Sequence, residues 1–310
     1  MLVGEILSSL IMIFILIVPG IFFRKKEIIS VEQSDGISSF VVNLTWPCLV
    51  IDAMQMEFSV QILKDSGYMM AIAAVIFAVI IAAAFPLAKL MRMSDRKKYI
   101  TTFMLLFGNT GFIGLPVTKA LYGTESVFFA AILEMINDVL IFTIGIILIQ
   151  MSAGVKLKLD PKQFLSPGLI GVLIGLALFL TNVQLPELLG GSVKLIGNAT
   201  TPLTMFLIGH QIGGLKIREI VGDWHVYAVC FLKLLIVPVA VLVILKLWAG
   251  DFTLLEKVLI LSFAMPVASV SAIFSQQYKG EAAFATKSVL LSTIFSIVTI
   301  PVFAIIMEMM

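Results

Sequence analysis

The stretch LLFGNTGFIGLPV, residues 105–117, decides how this chain is read. Three glycines, an Asn, a Thr and a Pro fall inside it, in a chain that is apolar almost from end to end. A proline in a helix removes a backbone hydrogen bond and clashes with the preceding turn, and Gly108, Gly111 and Gly114 loosen the chain upstream of Pro116. In hydrocarbon every freed backbone group is expensive, so a break here requires a polar cavity or other protein groups to meet it.

The rest of the chain makes hydrocarbon the relevant solvent. Of 310 residues, 60% are hydrophobic and 13% charged, and the mean hydropathy is +1.10; soluble domains carry roughly 25% charged residues. Hydropathy, punctuated by Pro, Gly and charge, predicts ten spans at 3–23, 37–55, 67–90, 99–121, 126–152, 167–181, 187–214, 224–248, 255–278 and 283–308. The runs are continuous rather than alternating, which excludes a β-barrel. Cys48 and Cys230 lie far apart in apolar runs and read as core residues, with neither a disulfide nor a metal site. The first run has Glu5 ahead of it and Arg24-Lys25-Lys26 behind it, which reads as a retained helix rather than a cleaved signal. A net charge of +2, with its basic residues scattered over loops, argues against a nucleic-acid partner.

Lys and Arg in the short loops set the orientation. With the N-terminus outside, the inner loops hold fourteen, among them Arg96, Lys97, Lys98, Lys156, Lys158, Lys162, Lys216 and Arg218, against five outside. Both termini are therefore expected outside the cytoplasm of a multi-pass membrane protein.

An internal repeat accompanies the spans. NLTWPCL begins at Asn43 and NATTPLT at Asn198, so Asn43, Thr45 and Pro47 recur as Asn198, Thr200 and Pro202, 155 residues later. A single Asn-x-Thr-x-Pro string arises by chance on the order of once in a hundred chains of this composition, so two copies half a chain apart read as a duplication. Pro86 and Pro238, Pro116 and Pro266, and Glu125 and Glu281 recur at nearly the same offset. Five spans per half is odd, so residues 1–155 and 156–310 are expected to form an inverted repeat, a device of secondary transporters. Both Asn-x-Thr strings lie inside spans, out of reach of glycosylation.

The fourth span thus has a partner in the ninth, SFAMPVASVSAIFSQQY, residues 262–278. Two broken helices in equivalent places can cross near the midplane, where half-helix N-termini favour an anion. Within the spans, Asp138 beside Asn137, and Glu134 one turn earlier, are candidates for coupling H+ or Na+. Asn43 and Asn198 are expected to mend backbone groups freed by Pro47 and Pro202. His210 reads as an interfacial or structural residue, and Lys233 is expected to snorkel to the cytoplasmic surface.

GNTGFIGLPV, NLTWP and MPVAS…QQY resemble the auxin efflux carrier family over essentially the whole chain. The resemblance implies an all-α fold of ten transmembrane helices in a 5+5 inverted repeat. Helices four and nine would be broken and crossing, as in bile-acid sodium symporters and sodium/proton antiporters. It implies a secondary transporter of small organic anions, mono- or dicarboxylates, working by alternating access, and a homodimer through a scaffold part. Asn109, Thr110, Gly111, Pro116, Asn137, Pro266, Ser269 and Ser271 would line the substrate site, with Gly108 and Gly114 as hinges. Ser269, Val270 and Ser271 stand where many relatives have an Asn. The short central loop fits a compact prokaryotic member, placed in the cytoplasmic membrane. No cofactor is implied. No HExxH pair, embedded Ser-Lys or paired-Asp motif, or nucleotide-binding loop points to an enzyme. A ligand-sensing receptor or a channel on the same fold is the alternative.

Overall fold

The computed structural model describes residues 3–157, 166–214 and 222–310. Lys158, Lys162, Lys216 and Arg218, counted above in the inner loops, lie outside the described residues. In chain order the helices are α1 Val3–Lys25, α2 Val31–Ala53, α3 Val60–Leu90, α4 Asp95–Leu106, α5 Thr110–Ala153, α6 Pro167–Thr181, α7 Glu187–Asn198, α8 Thr200–Gly213, α9 Trp224–Ala249, α10 Leu254–Phe263, α11 Val270–Gln277 and α12 Ala282–Met309. No strand occurs among the described residues, apart from one isolated bridge described with the site. Six helices, α1, α2, α3, α5, α9 and α12, are long and apolar enough to cross a membrane.

Prolines shape these helices in a recurring way. Four π-helical turns are present among the described residues, at Val41–Thr45, Thr110–Gly114, Ile141–Gly145 and Leu232–Ile236. The first, second and fourth each end two residues before a proline, Pro47, Pro116 and Pro238. A proline ring collides with the carbonyl four residues back, and widening the turn that holds this carbonyl removes the collision without ending the helix.

Several boundaries differ from the hydropathy reading, and α2 and α3 start six and seven residues earlier than expected, at Val31 and Val60. The turn expected between the fourth and fifth spans is a single residue, Gly123, at φ 79° and ψ −173° inside α5, a conformation open to glycine alone. The expected seventh span is two helices, α7 and α8, meeting at Ala199. The fourth span breaks at Phe107–Asn109 rather than at Pro116, because the π turn Thr110–Gly114 carries the helix through Pro116 without a clash.

The chain divides into two compact units. The first comprises Met1–Tyr68, Gly111–Met135 and Lys162–Leu215. Its helices meet through glycines. A Cβ on Gly209 of α8 would lie 2.0 Å from the Ile17 carbonyl oxygen of α1, and one on Gly20 2.0 Å from that of Phe206. Gly168 of α6 seats the Trp46 ring of α2, and Gly197 of α7 would place a Cβ 2.8 Å from Leu49 Cα. Close backbone approach of this kind supplies dispersion contact where hydrocarbon solvent offers no hydrophobic drive. Phe179 packs against Phe58 in a tilted pair and against Phe128 in an edge-on pair, at 5.5 and 5.0 Å between centroids.

The second unit comprises Met69–Thr110, Ile136–Pro161 and Lys216–Met310. Its core is aromatic: Phe103, Phe107, Phe77 and Phe263 touch in series at 4.8, 6.1 and 5.1 Å. Gly145 leaves room for the Phe103 ring. Outside the spans, Lys97 Nζ lies 2.6 Å from Asp223 Oδ2, and His225 Nδ1 lies 2.9 Å from Oδ1. Burial pushes the Asp223 carboxyl up, but hydrogen bonds from Lys97 and His225 outweigh it and hold the group below the usual carboxylate range.

Candidate functional site

The two breaks foreseen at the fourth and ninth spans meet within the second unit. α4 starts with a Ser94 cap and ends at Leu106, where Phe107 turns to extended backbone at φ −103°, ψ 121°. α10 starts from a capping box between Thr253 and Glu256 and ends at Phe263. The freed residues then pair as a short antiparallel bridge, Gly108 opposite Val267. Asn109 N donates to Pro266 O at 2.7 Å, and Ala268 N to Phe107 O at 3.1 Å. Each break thus satisfies backbone groups of the other, which hydrocarbon requires. Gly108 allows this approach, since a Cβ there would lie 3.1 Å from Met265 Cβ and 3.3 Å from Ser262 O. Pro266 needs no donor, because only its carbonyl takes part.

Polar side chains cluster on this bridge. Asn109 Nδ2 donates to Ser269 Oγ at 3.1 Å, Asn137 Nδ2 to Thr110 Oγ1 at 3.2 Å, and Thr110 Oγ1 to Gly108 O at 3.4 Å. Asn109 and Asn137 are buried. Two helices begin directly at the paired segment, α5 at Thr110 and α11 at Val270. The hydroxyls of Ser271 and Ser275, both buried in α11, have no hydrogen-bond partner. Asp138 follows Asn137 on α5 and is half-buried. The second unit therefore brings together Asn109, Thr110, Asn137, Pro266 and Ser269, with Ser271 in the adjoining helix.

Gly111, Gly114, Pro116 and Glu134 belong to the first unit. A Cβ on Gly111 would lie 3.4 Å from Glu134 Oε1 and 3.8 Å from Trp46 Cζ2. The repeat motif also lies there. Thr45 and Thr200, equivalent positions, are both fully buried with hydroxyls lacking a partner, as does the Trp46 indole N–H. Asn43 Nδ2 donates to Ser39 O at 2.7 Å, and Asn198 Oδ1 accepts from Lys119 Nζ at 2.8 Å. Neither amide mends a carbonyl freed by its proline. The π turn before Pro47 accommodates the first, and Pro202 lies in the first turn of α8, where its missing N–H costs nothing.

His210 is buried in the first unit, with Nε2 2.9 Å from Ile29 O. Lys233 does not snorkel: it is 0% exposed, and its Nζ lies 3.2 Å from Leu105 O. Its presence in an apolar run was visible in the sequence, but its partner, 128 residues away, was not.

The cluster on the bridge consists of amide and hydroxyl donors near helix N-termini, a set that can hold an anion by hydrogen bonds. Among the described residues, no three His, Cys, Asp or Glu side chains gather as a metal site.

Comparison with known proteins places this geometry. A model of the family described as "Membrane transport protein" matches residues 5–161 and, separately, 155–304. An "Uncharacterized transporter" of Methanothermobacter thermautotrophicus is 21% identical over 97% of this chain and 98% of its own length. The "Uncharacterized transporter YfdV" of Escherichia coli K12 is 21% identical over 95% of both chains. "Uncharacterized transporter MJ1031" of Methanocaldococcus jannaschii is 22% identical over 95% of this chain and 96% of its own. Relatives of matching length, two family matches spanning the chain and a row of apolar helices agree, and the chain belongs to the membrane transport protein family, the auxin efflux carriers.

Proposed function

We propose that the protein is a secondary transporter of small organic anions, mono- or dicarboxylates, working by alternating access around the broken fourth and ninth helices. The observation that carries this reading is the paired break, with Asn109, Ser269, Thr110 and Asn137 hydrogen-bonded on it and two helix N-termini beginning there. Unwound backbone between half-helices is where transporters hold substrate, and N-terminal helix ends favour its negative charge. The ten spans form a five-plus-five inverted repeat, residues 1–155 and 156–310, whose equivalent breaks make the crossing. The coupling ion is H+ or Na+, with Asp138 and Glu134 of α5 the candidate acids. The protein sits in the cytoplasmic membrane with both termini outside.

Purified protein in proteoliposomes on a solid-supported membrane tests this. Malate, malonate, succinate, lactate, pyruvate and indole-acetate are applied, with and without a pH step or a sodium gradient. One or more anions are expected to evoke a current that Asn109→Ala reduces about tenfold to a hundredfold, the loss expected from a hydrogen bond to a charged group. Silence with thermal stabilisation by one of these anions would favour a sensor or electroneutral exchange, and silence without binding would overturn the carboxylate reading.

A further inference from the structure

We propose that Lys233 is a cation built into the carrier, whose ammonium occupies the carbonyl end of the broken helix α4 and takes the place a coupling metal ion would fill. In an unbroken helix the Leu105 carbonyl would accept from the N–H of Asn109, four residues on. At this break Asn109 N goes instead to Pro266 O, 2.7 Å away, and the Leu105 carbonyl is left to Lys233 Nζ at 3.2 Å. The lysine therefore replaces the very hydrogen bond that the break removes.

The surroundings make this a specific arrangement. Lys233 lies in the π turn Leu232–Ile236 of α9, about 13 Å along the helix from Trp224. Its side chain is wholly buried, and the Leu105 carbonyl is its one hydrogen-bond partner among the described residues. The turn packs against α4 and α12. Charged groups of α4, from Asp95 to Lys98, sit at the opposite end of that helix. On α12, Glu308 is held by Lys257 at 2.8 Å, and Lys287 and Glu308 lie toward the helix ends. A lone ammonium inside a membrane helix is expensive to keep, and such residues mark functional positions. Helix C-termini carry partial negative charge and favour a cation. In other carriers the unwound carbonyls and half-helix C-terminal ends coordinate a sodium ion. Here a tethered ammonium is already there, so this break neither needs nor admits sodium. The cation is fixed to the protein and is not exchanged during transport. Of the two coupling ions considered above, this leaves H+ at the break.

Lys233 acts on the substrate site through Leu105 and the bridge, as a positioning residue. The test compares wild type with Lys233→Ala, Lys233→Met, which preserves packing without charge, and Lys233→Arg, which preserves charge. The first readout is independent of substrate: thermal stability in ammonium, sodium or choline chloride at equal ionic strength. Wild type is expected to respond alike to all three. Lys233→Ala is expected to melt lower in choline and to regain several degrees in ammonium, with sodium between, because a small free cation re-enters the vacated place. The second readout is the anion current, which rests on the carboxylate reading: Lys233→Met is expected to lose about tenfold or more while Lys233→Arg retains most of it. Lys233→Met matching wild type in both readouts would overturn the proposal, as would a Lys233→Ala protein indifferent to cations. Wild type stabilised by sodium over choline would overturn it too. If wild type moves none of the anions, the carboxylate reading fails, and the stability comparison still decides the role of Lys233.

Discussion

Individual side chains in this protein are explained by what the broken backbone leaves unpaired. Asn109 illustrates it: its amide N–H is diverted to Pro266, its side chain bonds Ser269, and Lys233 takes the carbonyl that lost a donor. GNTGF marked Asn109 as part of a helix break, and the structure places it at the paired backbone there. Lys233 was misread because hydropathy shows a charge in an apolar run but not the acceptor brought to it by the fold. Outside the membrane, Asp223 makes a prediction about pH. Its folded-state carboxyl is held low by hydrogen bonds from Lys97 and His225, which exceed the opposing effect of burial. A depressed acid contributes stability that is fully present above its unfolded value, about 3.9, and lost as pH falls through the folded one. The melting temperature of solubilised wild type should therefore drop below about pH 4 more steeply than that of Asp223→Asn, which should melt lower at neutral pH. The group is partly exposed to solvent, so the neutral-pH difference is expected to be small, under about 1 kcal/mol. Parallel acid limbs for the two proteins would contradict this.

Among the helices, prolines and glycines have separable roles. Pro47, Pro116 and Pro238 continue their helices because a π turn two residues earlier moves the colliding carbonyl aside. For this reason Pro116, the strongest break signal in the sequence, does not mark the break, and Gly108, which permits the backbone pairing, does. Glycines elsewhere set the distance between helices. At Gly209 a Cβ would meet the Ile17 carbonyl oxygen at 2.0 Å, backbone against backbone, with no flexible side chain able to yield. Gly209→Ala should part α1 from α8 and cost about 2–3 kcal/mol or more, read as a lowered midpoint in a reversible denaturant titration in micelles. Gly36→Ala, where a Cβ would meet nothing, serves as the control. A Gly209→Ala protein as stable as this control would mean that the close approach is not needed. Hydropathy located the apolar stretches of these helices, but it could not tell a turn from a kink. At Gly123 a single residue does what a loop was expected to do, and at Ala199 one expected span becomes two helices.

For the molecule as a whole, the proposed inverted repeat makes a topological prediction: five spans per half put both termini on one side, and the Lys and Arg distribution makes that side the outer one. Alkaline phosphatase fused after Met310 should be active and a fluorescent protein fused there dark, with the reverse for fusions in the Arg92–Arg96 loop. The opposite pattern would invert the orientation drawn from Lys and Arg. Composition alone settled that the chain is a helical membrane protein, because runs of this length and polarity are stable in no other solvent, and the repeated Asn-x-Thr-x-Pro motif is the sequence basis for proposing two related halves. Local signals carry that much because hydrophobicity, proline and glycine act on their own stretch of chain. The pairing of residues 107–109 with 266–268, the assignment of chain segments to two units, and the seating of Lys233 on Leu105 were decided only by the tertiary structure. They depend on which unpaired backbone group meets which partner across more than a hundred residues, and no periodicity in the sequence records that.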